Sequence, residues 1–237
     1  MELPASFIDY TRALLGDEEY DKLAVALQQE PPVSIRLNQL KINHSLSDKV
    51  PWSSEGFYLE ERLTFTFDPL FHAGCYYVQE ASSMFVEQVL RQYITGPMKM
   101  LDLCAAPGGK ATALGAALND TGFLLANDIS TSRARALLRN LELFGMKNML
   151  VTDEKPAKLA QRFPAFFNKI LLDAPCSGEG MFRKEEALAR DWTPGKSAEL
   201  SDIQKDLILK AADMLRPGGM MLYSTCTFSP CEDEEVV

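Results

Sequence analysis

Histidine is scarce in this chain, with two residues in 237. The five cysteines, at 75, 104, 176, 226 and 231, include no C-x-x-C pair. A zinc site is therefore not expected, and no metal is assigned. An odd, scattered set of cysteines behind an N-terminus (Met1-Glu-Leu-Pro) that is no signal peptide points to free thiols. Any cysteine that matters is expected to matter as a nucleophile. Long apolar runs are missing too: none reaches the roughly 18 residues of a membrane span, so no membrane contact and a cytoplasmic location are expected. Basic excess is also lacking. Lys and Arg number 24 against 33 Asp and Glu, a formal charge of −9, which excludes strong indiscriminate binding of nucleic acid by this segment. A nucleic-acid enzyme this acidic needs a local basic groove or a basic domain elsewhere. Internal repeats and low-complexity segments are absent as well.

What is present is ordinary globular composition, 46% hydrophobic and 24% charged, in a chain long enough to bury roughly 70% of its unfolded surface without disulfide or metal staples. The organising stretch is Met98-Lys-Met-Leu-Asp-Leu-Cys-Ala-Ala-Pro-Gly-Gly-Lys110. Met100, Leu101 and Leu103 predict a buried strand, Pro107-Gly108-Gly109 a sharp turn, and Lys110 to Leu118 a helix. Such a turn aims unpaired helix N-terminal N–H groups at a ligand. Asp128 follows Gly108 by twenty residues at the end of the strand Gly122–Asp128, where a nucleotide-type fold sets a carboxylate against ribose hydroxyls. The stretch is neither a Walker loop, since Cys104 replaces its first glycine and Ala111 follows the lysine, nor the dinucleotide G-x-G-x-x-G.

N-terminal to this, the pattern predicts a helix from Ala5 to Leu15 stopped by Gly16, then a helix Glu18–Gln29 capped by Asp17 and ended by Pro31-Pro32. Val33–Asn38 alternates with period two and puts Ser34, Arg36 and Asn38 on one strand face, either solvated or touching a substrate. Short strands are expected at Gly56–Leu59 and Leu63–Phe67, and a helix over Gln79–Leu90. Residues 1–75 read as a small α+β appendage and 76–237 as the main domain. From residue 98 onward strands and helices alternate, which implies a parallel sheet covered on both faces: a helix Ser132–Gly145, strands Asn148–Thr152 and Asn168–Asp173, a long helix Leu200–Leu215, a turn Arg216–Gly219 and a strand Met220–Thr225. Gly108, Asp128, Asp153, Asp173 and Cys226 all fall at strand C-termini, the ligand side of such a sheet.

The fourth of these strands runs into Asp173-Ala-Pro-Cys-Ser-Gly-Glu-Gly180 and the fifth into Tyr223-Ser-Thr-Cys-Thr-Phe-Ser-Pro230. Cys176 and Cys226 thus stand at adjacent strand ends beside a carboxylate. A thiolate there can add to an electron-poor carbon such as carbon 6 of cytosine, which makes carbon 5 a nucleophile able to accept a methyl group. The addition is helped by an acid at ring nitrogen 3, and a base must later remove the carbon 5 proton. Asp173 and Lys110 are the ionisable groups offered for these roles. The base would have to be presented unstacked. The residues alone leave open which thiol attacks.

Leu-Asp-Leu-Cys-Ala-Ala-Pro-Gly-Gly-Lys110, Leu-Leu-Asp-Ala-Pro-Cys-Ser-Gly-Glu-Gly180 and Tyr-Ser-Thr-Cys-Thr-Phe228 resemble the three signature motifs of the Nop/Sun family of RNA cytosine-carbon-5 methyltransferases. The resemblance extends through Ser34–Asn38 and Tyr77–Ser83, so it covers nearly the whole chain. It implies a Rossmann-like class I α/β methyltransferase sheet behind a small N-terminal α+β domain that faces RNA. It implies S-adenosylmethionine as cofactor, held by Cys104, Ala105, Ala106, Pro107, Gly108, Gly109 and Lys110, by Asp128 on the ribose and by Asp173 near the methionine end. Arg133 is included with these. The acidic residue near the adenine is Asp153, with Glu154 the alternative. The resemblance further implies Cys226 as covalent nucleophile and Cys176 as the thiol that assists product release; DNA cytosine methyltransferases use the Pro-Cys thiol instead. The N-terminal region and Ser177–Lys184 look most like the bacterial type that modifies small-subunit ribosomal RNA.

Cys75 and Cys231 are not required by the family pattern. The chain stops at Val237, just past the fifth strand of a sheet that normally has seven, so a fragment of a longer protein is expected, acting as a monomer. The competing readings are the same chemistry on transfer RNA, a non-catalytic RNA-binding assembly factor, and a domain with a small-molecule substrate. A basic groove around Arg36, Arg183 and Lys184 would argue against the last.

Overall fold

The computed structural model describes residues 3–237, with backbone alone for Leu90. In chain order the elements are α1 (Ala5–Leu15), α2 (Asp17–Gln28), β1 (Val33–Leu37), β2 (Gly56–Leu59), α3 (Pro69–His72), β3 (Tyr76–Val78), α4 (Phe85–Tyr93), β4 (Lys99–Asp102), α5 (Gly109–Leu118), β5 (Phe123–Asn127), α6 (Thr131–Phe144), β6 (Met149–Thr152), α7 (Pro156–Arg162), β7 (Phe167–Asp173), α8 (Glu186–Arg190), α9 (Pro194–Met214) and β8 (Leu215–Ser224). Among the described residues no helix is long and apolar enough to cross a membrane.

The chain divides into two compact units. One comprises Pro32–Leu172 with Ala211–Leu222; the other comprises the described residues up to Pro31, Asp173–Lys210 and Tyr223–Val237. The first holds a five-stranded sheet in the order β6-β5-β4-β7-β8, with β4 parallel to β5 and β7, and β5 parallel to β6. These parallel pairings agree with the parallel sheet expected from the alternation of strands and helices, and the strand order is that of a doubly wound sheet. Its core gathers Met100, Leu114, Leu124, Leu137, Leu141 and Leu171, all at or below 1% exposure, each contributing about 1.5–3 kcal/mol by burial. The same unit carries a second sheet, β2-β1-β3, antiparallel throughout. The second unit is centred on Phe7 of α1. Its ring meets Phe182 and Trp192 edge-on, each at 5.1 Å, beside Leu27 of α2.

Several local expectations are corrected. Leu63–Phe67 is not a strand: Phe65–Phe67 forms a 3-10 turn, and Asp68 then accepts from the Leu70 N–H to start α3. The helix expected over Gln79–Leu90 begins only at Phe85 and runs to Tyr93, after a 3-10 turn at Ser82–Met84. Asp17 does not cap α2. Gly16 holds that position, and the Asp17 carboxylate instead accepts from Arg12 at 2.6 Å. The long helix starts at Pro194, well before Leu200, because proline suits a first helical position. The expected turn Arg216–Gly219 is taken into β8, which as an edge strand tolerates Pro217.

The largest correction concerns β1. Ser34, Arg36 and Asn38 do not form a solvated face; they are 3%, 2% and 1% exposed. Ser34 donates to the Gln79 carbonyl at 2.5 Å, and Asn38 donates to the carbonyls of Gly74 and Phe144. Arg36 donates to Gln79 Oε1, the Gly109 carbonyl and Thr112 Oγ1, and its guanidinium lies over Phe144. Burial lowers its pKa to about 10. A buried cation with this many acceptors is an internal brace.

Candidate active site

In the first unit, the stretch between β4 and α5 turns as the glycine pattern requires. Gly108 sits at φ +117, ahead of the first residue of α5, a conformation that L side chains rarely adopt. A Cβ there would also press on Leu137 Cδ1 at 3.3 Å. The carbonyls of the turn are tied back by side chains. Arg133 donates to the Ala106 carbonyl at 2.9 Å and Asn140 to the Pro107 carbonyl at 2.7 Å, while Arg36 and Thr112 hold Gly109. Cys104 and Lys110 are half-buried, and Ala105 and Ala106 are buried.

Asp128 lies just past the end of β5, 2% exposed. One carboxylate oxygen accepts from the Ser130 N–H at 3.0 Å, and the other pairs with Arg133 at 3.3 Å. Arg133 therefore bridges the glycine turn and Asp128. Asp153 is exposed and accepts from Thr131 Oγ1 at 2.8 Å. Glu154 pairs with Lys158. Motif reasoning missed Asn127. It is 1% exposed and uses both ends of its amide, donating to the carbonyls of Leu103 and Glu154 and accepting from Thr152 Oγ1 and the Glu154 N–H. It thereby joins the ends of β4, β5 and β6, and its position next to Asp128 was the available signal.

In the second unit, the loop after β7 and the loop after β8 bring Cys176 and Cys226 together. The Sγ atoms lie 3.0 Å apart, and the Cys226 N–H points to Cys176 Sγ at 3.2 Å. The pair is asymmetric: Cys176 is half-buried and Cys226 exposed. The hydrogen bond with Cys226, and then burial, push the Cys176 thiol far above the ordinary range, so it keeps its proton. Asp173 accepts from Ser224 Oγ at 2.7 Å, two residues before Cys226. Cys75 is buried, and Cys231 touches Ser229 Oγ.

Two buried glutamates under these loops escaped the sequence reading. Glu179, 2% exposed, accepts from Trp192 Nε1 and the Phe228 N–H, each at 2.9 Å. Glu232, fully buried, accepts from the Ser177 N–H and Gln204 Nε2, each at 2.9 Å. Burial raises the Glu179 pKa, and the nearby Glu232 charge adds to the rise. Of the cations suggested for a groove, Arg183 is half-buried with a long 3.5 Å contact to the Ala26 carbonyl, and Lys184 is exposed.

A doubly wound parallel sheet with a glycine turn after its central strand, and thiol loops after β7 and β8, define a Rossmann-like fold of the methyltransferase class. A family model described as 16S rRNA methyltransferase RsmB/F matches residues 95–237, and one for the N-terminal domain of 16S rRNA methyltransferase RsmF matches residues 3–81. The chain belongs to the RsmB/F methyltransferase family. It is 36% identical over 252 residues to ribosomal RNA small subunit methyltransferase F of Serratia proteamaculans (strain 568), covering 99% of this chain and 52% of that protein. Among solved structures it resembles PH0851, with a TM-score of 0.90 and 28% identity over 99% of this chain and 55% of that one. It also resembles a methyltransferase homolog protein from Pyrococcus horikoshii, with a TM-score of 0.78 and 31% identity over 94% and 73%. The chain spans about half the length of the curated relatives it matches.

Proposed function

We propose that this protein methylates carbon 5 of a cytosine in small-subunit ribosomal RNA, with S-adenosylmethionine as cofactor and Cys226 as covalent nucleophile. The observation that carries the reading is the contact of two unlike thiols, 3.0 Å apart, at two strand-end loops. A thiol held protonated beside an exposed one suits a division of labour in which Cys226 attacks and Cys176 handles a proton.

The cofactor, when bound, supplies an electrophilic methyl group. The residues present suit it. Asp128 is a buried carboxylate fixed by Ser130 and Arg133, ready to accept from ribose hydroxyls. The carbonyls of Ala106 and Pro107 are occupied by Arg133 and Asn140, which fixes the turn at the N-terminus of α5, a place suited to a polar ligand. Asp153, exposed near the end of β6, is assigned to the adenine and Asp173 to the methionine end.

In the proposed sequence the Cys226 thiolate forms a bond to carbon 6, and the displaced electron pair is accommodated at ring nitrogen 3 with a proton shared by Asp173 or Lys110. Carbon 5 then takes the methyl group. Loss of the carbon 5 proton restores the ring double bond, breaks the sulfur–carbon bond and returns Cys226 as thiolate, the step in which Cys176 assists. We assign residues 1–75 as an RNA-facing appendage to a catalytic domain at 76–237, acting as a monomer. The test is methyl transfer from labelled S-adenosylmethionine to unmodified small-subunit ribosomal RNA, followed by nucleoside analysis. Label in 5-methylcytidine is expected. Label in another nucleoside, or transfer only to transfer RNA, would overturn the corresponding part of the reading.

A further inference from the structure

Both peptide groups that flank Cys176 are tied to one buried pair of side chains. Gln204 Nε2 donates to the Pro175 carbonyl at 2.9 Å and also to Glu232 Oε2. Glu232 Oε2 accepts in addition from the Ser177 N–H. Glu232 and Gln204 are each fully buried. Gln204 lies on the inner stripe of α9 with Ser197, Ser201 and Leu207, and Ser201 fixes the turn that carries Glu232 by donating to the Cys231 carbonyl. The same turn is anchored to the other thiol's strand: Tyr223 OH donates to the Glu232 carbonyl at 2.6 Å. Glu232 thus joins the Cys176 loop and α9 through its carboxylate and the end of β8 through its backbone carbonyl.

A buried charge is costly unless its hydrogen bonds are made. Two N–H donors converge on one oxygen of Glu232, while its Oε1 has no hydrogen-bond partner among the described residues. The acceptor position therefore matters here, and the second oxygen contributes little to the loop.

We propose that Glu232, through Gln204, is the positioning residue for Cys176: it fixes the distance between the two thiols and so governs release of the product from Cys226. This rests on the release role assigned above to Cys176. Without the clamp, the Pro175–Ser177 loop is freed from α9 and Cys176 moves out of contact with Cys226. Attachment of the base by Cys226 persists, and its resolution slows.

The experiment follows formation and decay of the covalent protein–RNA adduct on denaturing gels, with S-adenosylmethionine and small-subunit ribosomal RNA. It compares wild type, Glu232→Leu, Glu232→Gln and Gln204→Leu, with Cys176→Ala as reference. Adduct decay is expected to slow by about tenfold or more in both leucine variants, as for ångström-scale misplacement of a reacting group, with formation changed by less than about threefold. Glu232→Gln restores decay, because its amide oxygen can take the place of Oε2. A role in stability alone lowers formation and decay together and is not rescued in this selective way.

A second readout needs no RNA. Hydrogen peroxide converts two neighbouring thiols to a disulfide, its O–O bond breaking to give two waters. Closure between Cys176 and Cys226, measured by peptide mass spectrometry, is expected to slow about tenfold or more in the leucine variants and to stay fast in Glu232→Gln. Unchanged closure and unchanged decay in both leucine variants would overturn the positioning role even where Cys176→Ala accumulates adduct. No adduct in Cys176→Ala would overturn the release role itself; closure kinetics then judge the clamp alone. Gln204→Leu keeps the test decisive should Glu232→Leu not fold.

Discussion

Cys176 and Cys226, fifty residues apart in sequence, place their sulfur atoms 3.0 Å from each other, and the Cys226 N–H points at the Cys176 sulfur. That contact is closer than two unlinked sulfurs in simple van der Waals contact. It has a direct consequence: mild peroxide should join these two residues before any other pair of the five cysteines. Peptide mapping checks this. Preferential linkage of Cys75, Cys104 or Cys231 would contradict the geometry.

Asp128 is assigned to the ribose, and its carboxylate is already held by Ser130 and Arg133. Asp128→Asn keeps the shape and removes the charge. Loss of a hydrogen bond to a charged group, about 1.5–3 kcal/mol, should weaken binding of S-adenosylmethionine by about tenfold or more. Titration calorimetry provides the measurement. Unchanged affinity would remove Asp128 from the cofactor site.

Phe7 is fully buried between Phe182 and Trp192. Phe7→Ala should destabilise the protein by about 3–5 kcal/mol through lost burial and the cavity left behind. Urea unfolding measures it. A cost below about 1 kcal/mol would mean that α1 is not part of this core.

Glu179 has a pKa raised above its ordinary value of 4.5 by burial and then by Glu232, against the lowering effect of its hydrogen bonds. The folded state therefore holds this proton more tightly than the unfolded chain. Its contribution to stability is complete below pH 4.5 and is lost as pH rises through the raised value. The stability of wild type relative to Glu179→Gln should accordingly fall as pH is raised from the ordinary glutamate range towards neutrality. Paired urea titrations across that range check it, and a gap that widens with pH would contradict the assignment.

Local signals carried the sheet. The buried runs around Met100, Leu124 and Leu171, and the glycines after β4, each specify one strand or one turn, and all were readable. The thiol loops were readable because proline, glycine and cysteine crowd into a few residues at two strand ends. What escaped were features set by distant partners. Arg36 looks like a surface cation in an alternating strand, yet its acceptors are Gln79, Gly109 and Thr112. Leu63–Phe67 alternates like a strand, yet Asp68 and Pro69 start a helix immediately after it. Glu232 sits in the acidic run Glu232–Glu235, which carries no local signal of burial, and its partners are Gln204 and Ser177. Patterns of period two or 3.6 report which face is apolar; they do not report which polar side chain finds a partner seventy residues away.

The central claim is the division of labour between the two thiols. Wild type, Cys176→Ala and Cys226→Ala would be incubated with S-adenosylmethionine and unmodified small-subunit ribosomal RNA and resolved on one denaturing gel. A covalent protein–RNA adduct is expected to accumulate in Cys176→Ala and to be absent in Cys226→Ala. An adduct that survives loss of Cys226 and requires Cys176 would contradict it.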